Sequence, residues 1–243
     1  MKINEKVKIV DEIIKNNILT NHKDCYVIGI SGGIDSLVTL QILIKNVGKD
    51  KVKAFYLPIE YQNDLEDINL ISENLNINIE TIDLTDQYLC LAKKLSFASK
   101  EELVNIKPKL RAIFLSSYAL SKNGLVVSCL NYSEYYLGYF TKYGDSAGDI
   151  FPLINFLKCE IYELAKEFNL PEKIIKKQPS AGLLYKQTDE KDFGFSYSEL
   201  DNYLLGKSID PETIRKIKIM NVKNKHKNTL NDFIFDIFLL KDK

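Results

Sequence analysis

The chain has 243 residues, enough to bury one large core or two small ones, and its 45% hydrophobic and 27% charged content is that of an ordinary folded domain. Its 33 basic and 33 acidic residues cancel, which excludes general electrostatic attraction to nucleic acid or membrane as its organising property. No apolar run nears the roughly 18 residues needed to span a bilayer, and "MKINEKVKIVDEII" lacks the unbroken apolar stretch of a signal peptide.

In chain order, Ile3, Val7, Val10, Ile14 and Ile18 recur at helical spacing and predict an amphipathic helix over 3–20. Residues 25–30 read as a buried strand, followed by a helix from about Ser36 to Val47 that ends at Gly48. "KVKAFYL" (51–57) alternates like a strand and stops at Pro58. A helix over 64–75, a strand over 77–83, helices over 85–95 and 108–122, and a short central strand over 124–130 follow. Beyond Asn131 the pattern changes. Residues 139–152 read as a functional loop, 158–168 as a helix and 179–196 as a long irregular stretch; 196–205 and 211–219 read as helices. Strands alternating with helices of this length indicate a doubly wound, mainly parallel α/β sheet, which binds ligands beyond the carboxyl ends of its strands. With no repeat or low-complexity linker, one domain over 1–243 is expected, its core at about 22–130 and helical additions at about 131–243.

Cys25, Cys90, Cys129 and Cys159 are widely spaced, with no CxxC pair, so no zinc or redox signature is present; isolated thiols suit a cytoplasmic protein. Arg111 and Arg215 are the only arginines, and the guanidinium is the better planar fork for phosphate.

"YVIGISGGIDSLVTL" (26–40) places two glycines, two serines and a carboxylate between a strand and a helix. One reading is a tight turn with an N-capping Asp. The other is an anion cradle. Gly32 and Gly33 allow close backbone approach, Ser31 and Ser36 offer hydroxyls, and the helix adds its positive end. Asp35 would repel a phosphate unless a divalent cation sat between them. The Lys of a Walker loop is missing, and the six residues match the S-G-G-x-D-S of pyrophosphatase-type ATP loops.

Residues 131–204 add "LGYFTKYGD", "DIFPL", "PSAGL", "QTDE" and "GFSYSELD", and "HK" follows at 226–227. Together with "SGGIDS" these segments closely resemble ammonia-dependent NAD synthetases over nearly the whole chain. The resemblance implies an adenine-nucleotide α-hydrolase type of fold. It implies amidation of deamido-NAD by ammonia: the nicotinate carboxylate attacks the α-phosphate of ATP, pyrophosphate leaves, and ammonia displaces AMP from the adenylate. Residue by residue, it implies that Gly29, Ile30, Ser31, Gly32, Gly33, Ile34, Asp35 and Ser36 hold ATP, with Cys129, Lys158 and Ser180. Asp35 and Glu134 would be ligands of Mg2+. Lys109, Lys142, Asp149, His226 and Lys227 would hold deamido-NAD. Asp145 lies where it could bind ammonium or polarise the nucleophile. A homodimer is implied, with the helices at 3–20 and 108–122 as candidate interfaces, and no nucleic-acid or membrane partner. The loop motif begins by residue 29, so an upstream glutaminase domain is not expected in this chain.

Three positions depart from the family pattern. Cys129 stands where a threonine contacts ATP, and a thiol is the weaker hydrogen-bonding group. Lys109 stands where an arginine contacts the dinucleotide, keeping charge but losing the bidentate fork. Ser146-Ala147-Gly148 replaces a glycine-rich run. Alternatives are another enzyme with this ATP loop, such as a tRNA thiolase, or a degenerate nucleotide sensor. The stretch 183–193 is expected to be mobile when empty and to close over the adenylate.

Overall fold

Each apolar strand of this chain alternates its side chains between two helical layers, and that alternation organises the fold. The structure is a computed structural model that describes residues 1–60, 64–180 and 188–228. Strands β1 (Tyr26–Gly29), β2 (Val52–Tyr56), β3 (Ile79–Thr81) and β4 (Leu125–Val127) form one parallel sheet in the order β3-β2-β1-β4. Register pairs Tyr26 with Val52 on one side and with Leu125 on the other. Tyr26, Ile28, Ala54, Tyr56, Leu125 and Val127 face one buried cluster; Val27, Phe55 and Val126 face a second. A residue period of two in a sheet buried on both sides demands this division.

The helices are α1 (Ile3–Thr20), α2 (Ile34–Val47), α3 (Leu65–Leu75), α4 (Thr85–Lys94), α5 (Lys100–Leu103) and α6 (Ile106–Ser121), then α7 (Tyr132–Leu137), α8 (Lys158–Glu167), α9 (Glu172–Ile175), α10 (Asp189–Phe193), α11 (Tyr197–Leu204) and α12 (Pro211–Asn224). The first cluster takes Val10, Ile14 and Ile18 of α1, Leu37 and Leu40 of α2, and Ile161 and Leu164 of α8. The second takes Tyr88 of α4 with Leu115 and Ala119 of α6. Beyond the sheet, Leu137, Phe193, Phe195, Tyr197, Leu200 and Ile217 gather α7, α10, α11 and α12 into a third. The doubly wound parallel sheet and its helical C-terminal additions are thus as the periodicity indicates.

Boundaries differ where local chemistry sets them. Gly33 is extended and caps α2, so the helix starts at Ile34 and places Asp35 in its first turn, two residues earlier than the apolar pattern indicates. β3 pairs only with β2 and is half exposed, so it shortens to three residues. Helix α12 runs five residues past the expected 219. Helices α5, α7, α9 and α10 are four to six residues long, too short to show a period of 3.6. Of the stretch 183–193, residues 183–187 lie outside the described ones, and 189–193 form α10. No described helix is long and apolar enough to cross a membrane.

Strand order makes β1 the switch point: the chain moves outward to β2 and β3, then returns to β4 on the other side of β1. The carboxyl ends of β1 and β4 therefore part and leave a crevice. Asp201 of α11 locks the elements beside it. Its buried carboxylate accepts the Ser133 hydroxyl at 2.6 Å and the Cys159 amide at 2.7 Å, joining α11 to the starts of α7 and α8. Asp201→Ala leaves both donors without that acceptor and should cost about 3 kcal/mol; urea unfolding monitored by circular dichroism measures it.

Candidate active site

A cavity of about 650 Å³, the size range of a nucleotide pocket, opens over the crevice between β1 and β4. Its floor is the loop after β1. Ser31 Oγ and Ser36 Oγ lie 3.3 Å apart, Gly33 N–H points to Ser31 Oγ at 3.3 Å, and Ser36 Oγ donates to Gly33 O at 3.0 Å. Gly29, Ile30, Ser31, Gly33, Ile34, Asp35 and Ser36 all line the cavity. Gly32 does not. It is buried at φ +77°, and a Cβ there would come within 3.3 Å of Asp64 Cβ and 3.4 Å of Asp67 Cβ, so the position is restricted to glycine by conformation and by space.

The centre of the site is an ammonium. Lys158 opens α8 with its side chain only 2% exposed, and its Nζ lies 2.5 Å from Asp35 Oδ2 and 3.4 Å from Glu134 Oε1. Burial alone pulls the pKa of this amine down. Asp35 and then Glu134 outweigh that and hold its pKa above the usual lysine range. Glu134 sits in the first turn of α7, where burial pushes its carboxyl up to about 8 against the pull of Lys158. Asn131, fully buried, couples the two acids: its side-chain oxygen accepts the Glu134 amide at 2.9 Å while its side-chain nitrogen donates to Asp35 Oδ1 at 2.9 Å. The Tyr197 phenol lies 2.9 Å from Asp189 Oδ2 and 3.4 Å from Glu134 Oε1, and its ring stands 4.9 Å from the Lys158 ammonium.

This donor set fits a hard cation. Among the described residues no group of three or more His, Cys, Asp or Glu gathers at metal-ligand spacing. Asp35 and Glu134 instead form a two-carboxylate set already sharing one positive charge. Mg2+ is commonly held this way, by one or two carboxylates, with water and phosphate oxygens completing its shell.

Cys129 lies on the cavity wall, where burial pushes its thiol up to about 12 and Asp35 and Glu134 add to the effect. It is therefore a neutral thiol at physiological pH and a poor nucleophile. Asp145 is on the same wall. Desolvation raises its pKa, opposed by the Thr141 amide that donates to it at 2.8 Å and by Arg111. Ser180 also lines the cavity.

The residues assigned to the second substrate separate into two groups. Lys227 lines the cavity, donating to Gly138 O at 2.7 Å and Phe140 O at 2.8 Å, and Lys142 Nζ reaches His226 O at 2.8 Å. The chain after α12 is thereby tied to the 138–142 segment. Lys142 and His226 do not themselves line the cavity, and Lys109 and Asp149 also lie off its wall. Lys109 is exposed on α6, and Asp149 accepts the Val126 amide at 2.7 Å, holding the end of the 139–152 loop against β4.

The structure brings in four residues to which sequence reasoning assigned no place in the site, although it singled out Arg111 as one of two arginines. Asn131 carried a detectable signal, as an Asn immediately before a helix-starting "YSE". Arg111 lines the cavity with Nε donating to Leu57 O at 2.9 Å, and its scarcity in the chain was its signal. Tyr197 and Lys177 carried none, because each reaches the site only through tertiary packing.

Lys158→Met should destabilise the protein by about 2–3 kcal/mol, below the usual 3–5 for a broken buried pair because Asp35 and Glu134 keep 19% and 17% exposure. Adding Glu134→Gln should recover part of that loss, and guanidinium unfolding of both variants tests it. Comparison with known proteins follows the same lines. The NAD synthase family model matches residues 6–231. The NH(3)-dependent NAD(+) synthetase of Finegoldia magna is 42% identical over 80% of this chain and 81% of its own length. The structure of NMN synthetase from Francisella tularensis superposes with a TM-score of 0.87 at 34% identity, covering 95% of this chain and 97% of that one. An NH3-dependent NAD synthetase from Campylobacter jejuni, solved with nitrate, gives 0.77 at 29% identity over 94% and 96%. The fold is of the adenine-nucleotide α-hydrolase type, and with a family match spanning its phosphate loop, both acids beside Lys158 and the 226–227 pair, the chain belongs to the NAD synthase family.

Proposed function

We propose that this cavity amidates the nicotinate carboxylate of deamido-NAD with ammonia, consuming ATP and releasing AMP and pyrophosphate. Membership of the NAD synthase family supports the reaction. The observation that carries the assignment to these residues is the meeting of Asp35, from the phosphate loop, with Glu134, from the turn after β4, around one cation at the floor of the cavity.

A carboxylate is a poor acyl donor because its leaving group would be oxide. Transfer of AMP from ATP supplies a phosphate leaving group instead. The loop from Gly29 to Ser36 binds the triphosphate through backbone N–H groups, two hydroxyls and the start of α2. Asp35 and Glu134 would hold Mg2+, which when bound neutralises charge on the triphosphate as pyrophosphate departs. Lys158 sits between these acids and adds positive charge beside the same phosphates. Lys142, Asp149, His226 and Lys227 are assigned to the acceptor dinucleotide. Asp145, also on the cavity wall, is assigned to the incoming ammonia, where an acceptor oxygen can orient N–H bonds and take up a proton.

The working unit is proposed to be a homodimer built on α6. Ile113 is 61% and Leu120 85% exposed, and they lie seven residues apart on one face. Lys109 lies one turn before Ile113 on that face, so an interface there would bring its charge to a dinucleotide bound between copies. All four cysteines are free thiols, which supports a cytoplasmic setting. The likeness to an NMN synthetase favours a second acceptor, the acid form of the corresponding mononucleotide, whose carboxylate presents the same chemistry.

The test is an assay with ATP, Mg2+ and ammonium against either acceptor, following amide product, AMP and pyrophosphate together. Equal formation of all three from deamido-NAD is expected, with loss of at least about a hundredfold in Asp35→Asn. Product from the mononucleotide alone would assign the second acceptor, AMP without amide would move the function to another acceptor, and nucleotide binding without turnover would leave a sensor. For assembly, light scattering should report a dimer that Ile113→Glu with Leu120→Glu converts to monomers.

A further inference from the structure

Lys177 follows α9, far from the phosphate loop in sequence, and none of the loop chemistry described above uses it. Its ammonium nevertheless makes three contacts at the loop's outer side. Nζ lies 2.7 Å from Asp64 Oδ1, 2.7 Å from Asp67 Oδ2 and 3.3 Å from Gly32 O. Asp67, side chain 9% exposed, is held from its other oxygen by Lys173 at 2.9 Å. The carboxylates of Asp64 and Asp67 thus hold Lys177 while it donates to the Gly32 carbonyl. Lys177 itself lines the cavity, as do Asp64 and Ser180.

The consequence follows from peptide geometry. The Gly32–Gly33 peptide is trans, so the Gly32 carbonyl and the Gly33 N–H point in opposite directions. Holding the carbonyl outward, at Lys177, aims the Gly33 N–H inward, and it does point into the loop, at Ser31 Oγ. A glycine pair without such a tether has the torsional freedom to flip that peptide and turn a carbonyl toward an anion. Gly32, buried against Asp64 and Asp67, shows how tightly this outer side is packed.

We propose that Lys177, anchored by Asp64 and Asp67, is a positioning residue for ATP: it fixes the Gly32–Gly33 peptide so that the Gly33 N–H is presented to the triphosphate. This rests on the loop being the ATP site. Lys177 acts through the loop backbone, and the two carboxylates keep its ammonium from moving onto the phosphates.

The experiment measures ATP and pyrophosphate affinity by calorimetry with Mg2+, independently of any NAD formation, for the wild type, Lys177→Met, Lys177→Arg and Asp64→Asn. Steady-state constants and melting temperature are measured alongside. Lys177→Met should weaken ATP and pyrophosphate about tenfold, the effect of losing one charged hydrogen bond. It should raise the KM for ATP by a similar factor and leave the KM for deamido-NAD within about twofold. Lys177→Arg should restore most of the affinity. Asp64→Asn, which removes one anchor, should weaken ATP in the same sense, and it keeps the test decisive should Lys177→Met lose its fold. Unchanged ATP affinity in Lys177→Met would overturn the proposal. So would tighter ATP binding in Asp64→Asn, because a released Lys177 would then be a direct phosphate ligand. A wild type that binds ATP but makes no amide would refute the reaction assigned above and leave this test intact.

Discussion

A lysine ammonium removed from water must be neutralised, and the structure is arranged around that requirement at Lys158. Its two partners come from separate turns. Asp35 belongs to the loop after β1 and Glu134 to the turn after β4, while Lys158 itself begins α8. The pair and its bridge therefore fix the relative positions of three helix N-termini over one crevice. Without ligand, Lys158 supplies the positive charge that keeps two acids from repelling each other. The imbalance remains visible at Glu134, whose carboxyl stays pushed up to about 8 by burial despite the lysine. Glu134 is therefore mostly protonated near neutral pH, and an incoming cation bound to phosphate would draw it into its ionised form.

Around this centre, backbone and side-chain tethers divide the work. Asn131 reads both acids with one amide, donating to Asp35 and accepting from the Glu134 N–H. Asp201 holds the turns behind them through Ser133 and Cys159. Gly144 lets the 139–152 loop close on α6; a Cβ there would meet Pro108 Cβ at 2.7 Å. The departures from the family pattern fall in both halves of the site. Cys129 is a neutral thiol on the wall, Lys109 stands outside the cavity on α6, and the Ser146 hydroxyl oxygen accepts the Tyr143 N–H at 3.1 Å. Cys129 belongs to the ATP side, where Asp35 and Glu134 act on its thiol, while Lys109 and Ser146 fall on the acceptor side.

Much of this was legible in the residues. The S-G-G-x-D-S loop, the strands with apolar residues on both faces and the longer amphipathic helices all declare themselves through local periodicity and turn chemistry. Glu134, Lys158 and Lys227 were legible through resemblance, since a lone acid or lysine has no local signature. The helices of four to six residues were not legible, because fewer than two turns cannot display a helical period.

The sequence by itself determined the sheet class, the phosphate loop and the types of groups available for the chemistry, because these depend on spacing over a few residues. Tertiary structure alone decided which charges meet. Lys177 lies 145 residues from Gly32, and Lys158 lies 123 from Asp35, yet each pair is in hydrogen-bond contact. Such contacts are set by strand order and by the crevice it opens between β1 and β4. They are also set by the need of every buried charge for a partner, which no local pattern encodes.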